Sequence, residues 1–333
     1  MKSMINVSAA VTLASTLLVN AALVNSAPAQ QLRVVESDET VSIVSGEKLV
    51  VAYNKVSPPA PKGIDPVYRR SGCLHPIRTP QGRVVTTMFP FDHPHQHGVF
   101  SAWVKTRYAG KSIDFWDLAG GTGRVVHERV VGKFRDGESA GFEVDLIHRA
   151  EVDGPVDVLR ERWKITAHPT DGTYFCFDLE TEQSALTEKP LLVSKYHYGG
   201  IVFRGPVRWL TAADRDARKV KDLEREPSEF LNSLGSNRIQ GNLQRAKWVA
   251  LSGSIDGKKV SIAVLCHTES FRAPQAARLH PTKPYFCFAP CNDGAFQIDR
   301  EHPFRGRYRY LVSDTAVDAK WIDQQWREWT EKK

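Results

Sequence analysis

Long basic tracts and long hydrophobic runs are both missing from most of the 333-residue chain. The net charge is only +7, and acidic and basic residues interleave, as in residues 215–226, a pattern typical of a solvated helical face. No nucleic-acid-binding motif is present, so we expect no nucleic-acid partner. After residue 29 no segment reaches the roughly 18 apolar residues needed to cross a bilayer, so we expect no stable membrane insertion of the mature chain.

Cysteine and methionine are also scarce. The five cysteines leave at least one unpaired, and Cys287 and Cys291 lack the second pair that a zinc knuckle needs. Met88 is the only methionine after residue 29, so a copper site there would depend on imidazole. The G-x-S-x-G and H-E-x-x-H motifs are absent as well. Acid–base chemistry therefore has to come from other histidines and carboxylates.

The first 29 residues have the layout of a secretory signal peptide. Lys2 precedes an apolar stretch at residues 11–24, and Ala27, Pro28 and Ala29 follow it. A positive start, a short apolar segment and an A-x-A site together predict export and cleavage, and an uncleaved anchor is the alternative. We therefore expect a secreted or periplasmic mature protein.

The remaining chain consists mostly of short segments that alternate apolar and polar residues and are rich in β-branched and aromatic types. This pattern predicts strands, and Asp-Gly turns between them predict antiparallel hairpins. The absence of a βαβ alternation argues against a doubly wound fold. The clearest predicted strands span residues 49–56, 84–89, 99–106, 124–134, 141–152, 158–168, 174–185, 246–255, 259–267 and 307–314.

These segments predict an all-β fold, in which residues 30–333 form a single domain, a large antiparallel β-sandwich. Residues 228–234 are predicted as a short helix. Residues 316–329 place Trp321, Trp326 and Trp329 near helical spacing, which predicts a C-terminal helix packed on the sheets. Long loops on such a scaffold are where binding sites usually lie.

The densest group of chemically active side chains lies in FPFDHPHQHG, residues 89–98, with Asp92, His93, His95 and His97. In an extended segment the three histidines would share one face. One imidazole could then act as a general acid or base while Asp92 orients it. Alternatively, His93 and His95 could bind a divalent metal, or the histidines could simply stabilise a turn.

Four other loops carry candidate ligand-binding residues. Tyr and His rings both stack and form hydrogen bonds, and a Trp ring can cover the apolar face of a sugar, so the mixture suits a polyhydroxylated ligand. The alternative for KYHYGG is simple packing at a strand end, and the alternative for Trp116 is a core tryptophan beside a tight turn. These residues are His75 in GCLHPIRTPQG, Trp116 in DFWDLAGGTG, Lys195, Tyr196 and His197 in KYHYGG, and Arg272 and His280 in the Pro-rich stretch 267–290.

Several motifs resemble those of secreted bacterial proteins labelled PmoA-like or methane oxygenase, over residues 51–329. They are H-P-x-x-x-P-x-G-x-x-V-T from His75, F-P-x-D-H-P-H-x-x-G from Phe89, D-F-W from Asp114, F-R-A-P-Q from Phe271 and H-P-x-x-P-Y-F from His280. That family usually continues D-H-P-H-H-R-G, whereas this chain has Gln96 and His97, which weakens a three-histidine metal site.

The methane oxygenase label does not fit this chain, since a membrane methane-oxidising subunit needs several apolar spans. The overall pattern of antiparallel strands with His, Tyr and Trp loops is similar to galactose mutarotase-like supersandwiches. A likeness at the level of the fold indicates architecture better than it indicates function.

These features predict an exported carbohydrate-active enzyme that acts on a glycoside, as a hydrolase or a lyase, through His-based acid–base chemistry. The alternatives are a non-catalytic sugar-binding module and a His-ligated metalloprotein. The predicted catalytic residues are His93, His95, His197, His75 and Asp92. The predicted contacts to a small-molecule or oligosaccharide substrate are Tyr196, Lys195, Trp116, His97, Arg272 and His280.

Overall fold

The computed structural model describes residues 31–217 and 228–331. The predicted signal peptide and residues 218–226 of the charged run lie outside the described residues. The strands are β1 (Leu32–Glu36), β2 (Thr40–Ser45), β3 (Lys48–Asn54), β4 (Cys73–Ile77), β5 (Val99–Trp103), β6 (Thr106–Tyr108), β7 (Lys111–Ile113), β8 (Gly123–Asp136), β9 (Ser139–Glu151), β10 (Pro155–His168), β11 (Tyr174–Ala185), β12 (Leu191–Val193), β13 (Gly199–Arg204), β14 (Glu229–Asn232), β15 (Gln244–Arg245), β16 (Trp248–Ile255), β17 (Lys258–Cys266), β18 (Ala276–Leu279), β19 (Tyr285–Phe288), β20 (Phe296–Ile298) and β21 (Phe304–Ser313).

The helices of the described ranges are short. The α-helices are α1 (Ala212–Ala217) and α2 (Ala319–Glu331), and the 3-10 helices are Pro66–Tyr68, Leu118–Gly120, Val207–Trp209 and Pro290–Asp293. None of the helices in the described part of the chain combines the length and the apolar character needed to cross a bilayer.

The strands form three sheets. One has nine strands in the order β1-β2-β3-β4-β5-β13-β19-β18-β15, and a second has eight in the order β14-β16-β17-β21-β11-β10-β9-β8. A small sheet adds β20-β12-β6-β7. The strands of the two large sheets pair antiparallel with their neighbours. The predicted large antiparallel β-sandwich is confirmed.

Asp-Gly turns connect consecutive strands, as their sequence predicts. They join β8 to β9, β9 to β10, β10 to β11, and β16 to β17, and each of these pairs is antiparallel. In the last turn Asp256 has φ 53° and Gly257 has φ 69°. A two-residue turn with both φ values positive matches the right-handed twist of the flanking strands.

The two large sheets pack face to face over a shared core. The Tyr53 ring of β3 lies 6.1 Å from the rings of both Phe142 in β9 and Trp163 in β10. Trp103 of β5 donates from Nε1 to Gln183 Oε1 of β11 at 2.8 Å, so its one polar atom is satisfied inside the core.

The opposite face of the nine-stranded sheet carries polar side chains. Along β19, Phe286 and Phe288 contact the eight-stranded sheet through Phe230 and Tyr308. Side chains alternate along a strand, so Tyr285 points to the other face. Arg204 of β13 pairs with Tyr285 and shares that face. The histidine-rich loop, residues 89–98, packs against this face.

Two secondary-structure predictions are wrong. Residues 84–89 do not form a strand and make only the isolated bridges of Val84 with Arg78 and of Met88 with His97. Their backbone hydrogen bonds go to separate segments, from Val85 N to Ile77 O, from Thr87 N to Arg204 O and from Gly98 N to Thr87 O, so no continuous ladder forms. The predicted helix at 228–234 is the edge strand β14, which is held by pairing with β16 and by burial of Phe230.

Helix α2 lies at the predicted C-terminal position. It packs on the outer face of β16 and β17, where Trp248 donates from Nε1 to Asp323 Oδ1 at 2.7 Å. Trp326 of the helix donates from Nε1 to Cys266 O at 2.8 Å. The helix therefore covers apolar sheet surface that would otherwise face water.

All five cysteines are buried and free, so none of them forms a disulfide. They are Cys73, Cys176, Cys266, Cys287 and Cys291. Burial raises the pKa of the Cys73 and Cys176 thiols to about 12. Buried thiols of this kind behave as small apolar groups.

A buried hydrogen-bonded pair crosses from β9 to β10 inside the sandwich. His148 Nε2 lies 2.6 Å from Glu161 Oε2, and both side chains are inaccessible to solvent. Thr181 and Trp163 donate to Glu161 Oε1 at 2.6 and 2.7 Å. Burial alone would raise the pKa of Glu161, but these hydrogen bonds outweigh it and lower the pKa.

Replacing Glu161 with Ala should lower the free energy of unfolding by about 3–5 kcal/mol, because it leaves His148, Thr181 and Trp163 buried without their acceptor. Equilibrium unfolding in urea measures this. The control is Glu182→Ala, whose exposed partner Arg305 lies at 2.8 Å and should matter by less than about 1 kcal/mol. Equal losses for the two variants would contradict the prediction.

Candidate functional site

The histidine-rich loop, residues 89–98, folds into successive turns rather than an extended segment. His93 N donates to Pro90 O at 3.0 Å, and Gln96 N donates to His93 O at 2.9 Å. The prediction that the three histidines share a face is therefore wrong. Gly98 ends the loop with φ +52°, and a Cβ there would lie 2.1 Å from Leu74 O, so only glycine fits.

A buried arginine ties this loop to the sheet. Arg204, at the end of β13, donates from Nη2 to Asp92 Oδ1 at 2.6 Å and from Nη1 to Asp92 Oδ2 at 2.9 Å. Nη1 also donates to Gln96 Oε1 at 2.9 Å. Both charged side chains are fully buried. Burial would raise the pKa of Asp92, but hydrogen bonds from His93 and Arg204 outweigh it and hold the pKa well below its usual range.

Of the three histidines in the loop, His93 and His95 reach solvent, with side chains 25% and 14% exposed. His93 Nδ1 lies 3.1 Å from Asp92 Oδ2, which fixes the ring and leaves Nε2 free to face a ligand. The His95 ring lies 5.4 Å from that of His93, and its Nδ1 is 3.8 Å from Asp117 Oδ1. Burial, reinforced by the charge of His93, lowers the pKa of His95 to about 4.

His280 and Tyr285 lie beside His93. Their rings are 6.3 and 5.9 Å from the His93 ring and 4.7 Å from each other. His280 Nδ1 accepts from the backbone N–H groups of Thr282 and Lys283, so in the neutral ring the proton is on Nε2. Burial and the nearby cations Lys283 and Arg278 lower the pKa of His280 to about 3.

Tyr198 continues the group away from His93. Its hydroxyl accepts from Tyr285 at 3.2 Å and from Arg278 Nη2 at 3.0 Å. The Arg278 guanidinium also lies 5.0 Å over the Tyr198 ring. Both acceptor positions of the Tyr198 oxygen are occupied, so its own proton is available to a ligand.

His197 lies between two tyrosines. Its ring is 4.3 Å from that of Tyr196 and 4.4 Å from that of Tyr198. Gly199 and Gly200 follow at the start of β13, and a Cβ on Gly200 would lie 2.4 Å from Phe288 O, so the glycine permits this close approach. Lys195 is exposed beside them.

Trp116 borders the same group, with its ring 5.5 Å from that of Tyr198, but it is only 6% exposed and belongs to the hydrophobic core, so it offers little surface for stacking on a sugar. Asp114 Oδ1 accepts from the backbone of Trp116 and Asp117 at 2.7 and 3.0 Å, which fixes this turn. The buried Arg70 donates from Nη2 to the carbonyls of Phe115 and Trp116. We call the connected rings the imidazole–tyrosine cluster: His93, His95, His280, Tyr285, Tyr198, His197, Tyr196 and Trp116.

Three predicted site residues have other surroundings. His97 is fully buried against Phe89, with Nε2 hydrogen bonded to Pro94 O, so it cannot touch a ligand in this conformation. His75 lies on the same sheet face, but its Nδ1 is hydrogen bonded to Thr86 at 2.9 Å. Arg272 donates to the carbonyls of three residues in the loop after β19, namely Pro290, Gly294 and Ala295, and thereby braces that loop.

The geometry gives little support to the metal alternative. In the described residues no group of three or more His, Cys, Asp or Glu side chains is arranged to hold a metal ion. The His93 and His95 rings are inclined at 82°, and His97 turns into the protein interior.

The predicted catalytic and substrate-contact residues left out four residues that form or brace the cluster: Arg204, Tyr285, Tyr198 and Arg278. Tyr198 stands in KYHYGG, Tyr285 is the tyrosine of the P-Y-F motif, and Arg278 lies in the Pro-rich stretch, so these three lay inside segments already singled out. Arg204 is 112 positions from Asp92, and no local pattern joins them. Strand pairing alone brings such residues together.

Comparison with known proteins identifies a family but no activity. A family model described as a family of unknown function, DUF6807, matches residues 40–327. The resemblance to PmoA-like proteins is therefore wrong. No curated protein matches the sequence. Among solved structures, an alpha-galactosidase from Lactobacillus brevis shares 8% identity at a TM-score of 0.35, with 88% of this chain and 40% of that chain covered. The chain spans less than half of that enzyme's length.

His95 and His280 should stay neutral as the pH falls to about 5, whereas histidines of the unfolded chain titrate near 6.5. Between these values the unfolded state binds more protons, so the stability that these residues affect is lost as the pH falls below about 6.5. Imidazole ¹⁵N shifts measured by NMR, with His95→Gln and His280→Gln for assignment, test this. Resonances that titrate near pH 6.5 would contradict it.

Proposed function

The chain belongs to the DUF6807 family of unknown function, and from the imidazole–tyrosine cluster we propose that it is an exported carbohydrate-active enzyme that cleaves a glycosidic bond by His–Tyr acid–base chemistry. The observation that carries the proposal is the fixed contact of a partly exposed imidazole, His93, with a buried carboxylate, Asp92. Export rests on the signal-peptide pattern of residues 1–29.

The cluster has the composition of a sugar site. Partly exposed rings of His93, His197 and Tyr196 offer flat surfaces next to hydrogen-bonding atoms. Sugars present the same combination, with apolar ring faces and hydroxyl edges, and binding sites commonly pair aromatic surfaces with a few fixed polar groups.

His93 is the general base of the proposal. Asp92 accepts from its Nδ1, so the lone pair is on Nε2, on the side away from the carboxylate. Asp92 itself is a positioning residue, because its side chain is buried and bound by Arg204. It orients the ring and stabilises the imidazolium that forms when His93 takes a proton.

Tyr198 is the proton donor. Its hydroxyl receives hydrogen bonds from Tyr285 and Arg278, and these would stabilise the phenolate left after it protonates a leaving oxygen. His95 and His280 stay neutral in this site. His95 can supply one donor and one acceptor for sugar hydroxyls, whereas His280 supplies only its Nε2–H as a donor, because its Nδ1 already accepts from two backbone N–H groups.

A lyase-type elimination fits this set better than two-carboxylate hydrolysis. Hydrolysis of that kind needs two carboxyl groups facing the scissile bond, roughly 5–10 Å apart. Asp92 is sealed in its ion pair, and Asp114 fixes a backbone turn. Asp117 is the exposed carboxylate beside His95, and one such group leaves the pair incomplete.

The proposal is tested by incubating the purified chain with an oligosaccharide panel and measuring the product masses by mass spectrometry. Elimination gives products whose masses sum to that of the substrate, whereas hydrolysis adds one water. His93→Gln and Tyr198→Phe should each lower the rate by about 10²- to 10⁴-fold, since each removes one proton-transfer group.

The matched control is His302→Gln, because His302 is an exposed histidine that pairs with Asp299 outside the cluster. It should leave the rate unchanged. If sugars bind and no product forms under any condition, the protein is a binding module and the catalytic proposal is wrong. Wild-type rates for His93→Gln would remove His93 from the mechanism.

A further inference from the structure

We propose that the substrate is a glycoside of a uronic acid, and that Arg278 and Lys105 bind its carboxylate at the Tyr196–Tyr198 end of the cluster. This inference rests on the proposed function and names the substrate class for the same site. It is carried by the uneven distribution of charge along the cluster.

The charges along the cluster are balanced to different extents. At the His95 end, the carboxylates of Asp117 and Asp114 lie in one short turn, against the buried guanidinium of Arg70. In the middle, Arg204 is neutralised by Asp92. At the far end, the charged side chains among the cluster's contacts are Arg278 over the Tyr198 ring and Lys105 over the Tyr196 ring, both cations.

Arg278 uses only neutral acceptors. Nη1 donates to Asn242 Oδ1 at 2.8 Å and to Leu279 O at 2.7 Å, and Nη2 donates to the Tyr198 hydroxyl at 3.0 Å. A guanidinium carries five N–H groups, so two remain uncommitted by these contacts: the Nε–H, which is buried without a partner, and one Nη2 proton. The Nη2 proton lies beside the proposed proton donor, where a bound carboxylate could accept it together with the guanidinium charge.

Lys105 is the second cation of this end. Its Nζ lies 4.6 Å from the centre of the Tyr196 ring. Throughout residues 31–217 and 228–331, neither Lys105 nor Arg278 forms an ion pair with a carboxylate. Two such cations beside partly exposed rings favour an anion over a neutral sugar at this end of the cluster.

The same two cations affect the pKa of the neighbouring His197. Burial lowers the pKa of His197, and the positive charges of Arg278 and Lys105 lower it further. The positive charges of Arg278 and Lys105 therefore both act on the ring of His197.

A uronate also completes the elimination chemistry. His93 removes the proton on the carbon next to the carboxylate, and the charge that develops on the carboxylate oxygens is stabilised by Arg278 and Lys105. The electron pair forms a carbon–carbon double bond as the glycosidic carbon–oxygen bond breaks. Tyr198 gives its proton to the leaving oxygen. One C–H and one C–O bond are exchanged for one double bond and one O–H bond, and no water or oxidant is needed.

Matched pairs of ligands test the inference with the full-length mature chain. Oligomers of galacturonic, glucuronic and mannuronic acid are compared by calorimetry with their carboxyl-reduced counterparts, which have the same rings without the charge. At least one acidic oligomer should bind about tenfold more tightly than its reduced form. Its affinity should fall with added salt, since the attraction is electrostatic.

Lys105→Gln and Arg278→Gln should each remove most of that preference for the acidic oligomer while binding of the reduced oligomer stays the same. Loss of Arg278 also removes a hydrogen bond to Tyr198 and can alter binding for that reason. The Lys105→Gln variant then still tests the inference. The control is Lys247→Gln, because Lys247 also lies 4.6 Å over an aromatic ring, that of Trp326, outside the cluster. It should bind both oligomers like the wild type.

The outcomes separate this inference from the proposed function. Acidic oligomers bound preferentially but never cleaved would support the inference and overturn the catalytic proposal. Neutral glycosides cleaved while acidic oligomers show no advantage over their reduced forms would overturn the inference alone. A charge preference that survives in both Lys105→Gln and Arg278→Gln would also overturn it.

Discussion

The candidate site depends on one buried ion pair, between Arg204 at the end of β13 and Asp92 in the histidine-rich loop. A guanidinium and a carboxylate this deeply buried are tolerated only because each satisfies the other through two parallel hydrogen bonds. The same carboxylate fixes His93, and the same guanidinium fixes Gln96. Loop shape and imidazole orientation therefore follow from a single contact with the sheet.

The alternation of side chains along two strands explains why the cluster lies on its particular face. In β13 and β19, Phe203 and Phe286 enter the core, while their neighbours Arg204 and Tyr285 point the other way. A shift of one residue in the pairing would bury the cation in the core and expose the rings. The hydrophobic core thus sets the register, and the register sets the geometry of the site.

The sequence predicts those features that local chemistry determines. Alternation and Asp-Gly turns are local, and they give the antiparallel sandwich and the hairpins of β8 to β11. The loop containing His93 and His95 is conspicuous for the same reason, as is the pair of rings Tyr196 and Trp116. Each of these lies in the cluster.

Features set by distant contacts could not be predicted from the sequence. The run of β-branched residues at 84–89 reads as a strand, but its backbone hydrogen bonds go to Ile77, Arg204 and Gly98, and no continuous ladder forms. His97 is equivalent to His93 by spacing, yet the turns of the loop rotate it into the interior. The contact of Arg204 with Asp92 joins segments 112 residues apart, and only the strand order of the sheet reveals it.

The buried free thiols have a consequence for how the protein can be handled. Nucleophilic attack requires a thiolate that reaches solvent, and burial keeps all five sulfurs protonated and enclosed. The native fold should consequently be indifferent to glutathione and to alkylating reagents. Refolding under reducing conditions should therefore suffice to reach the native state, because none of the five cysteines has to form a covalent crosslink.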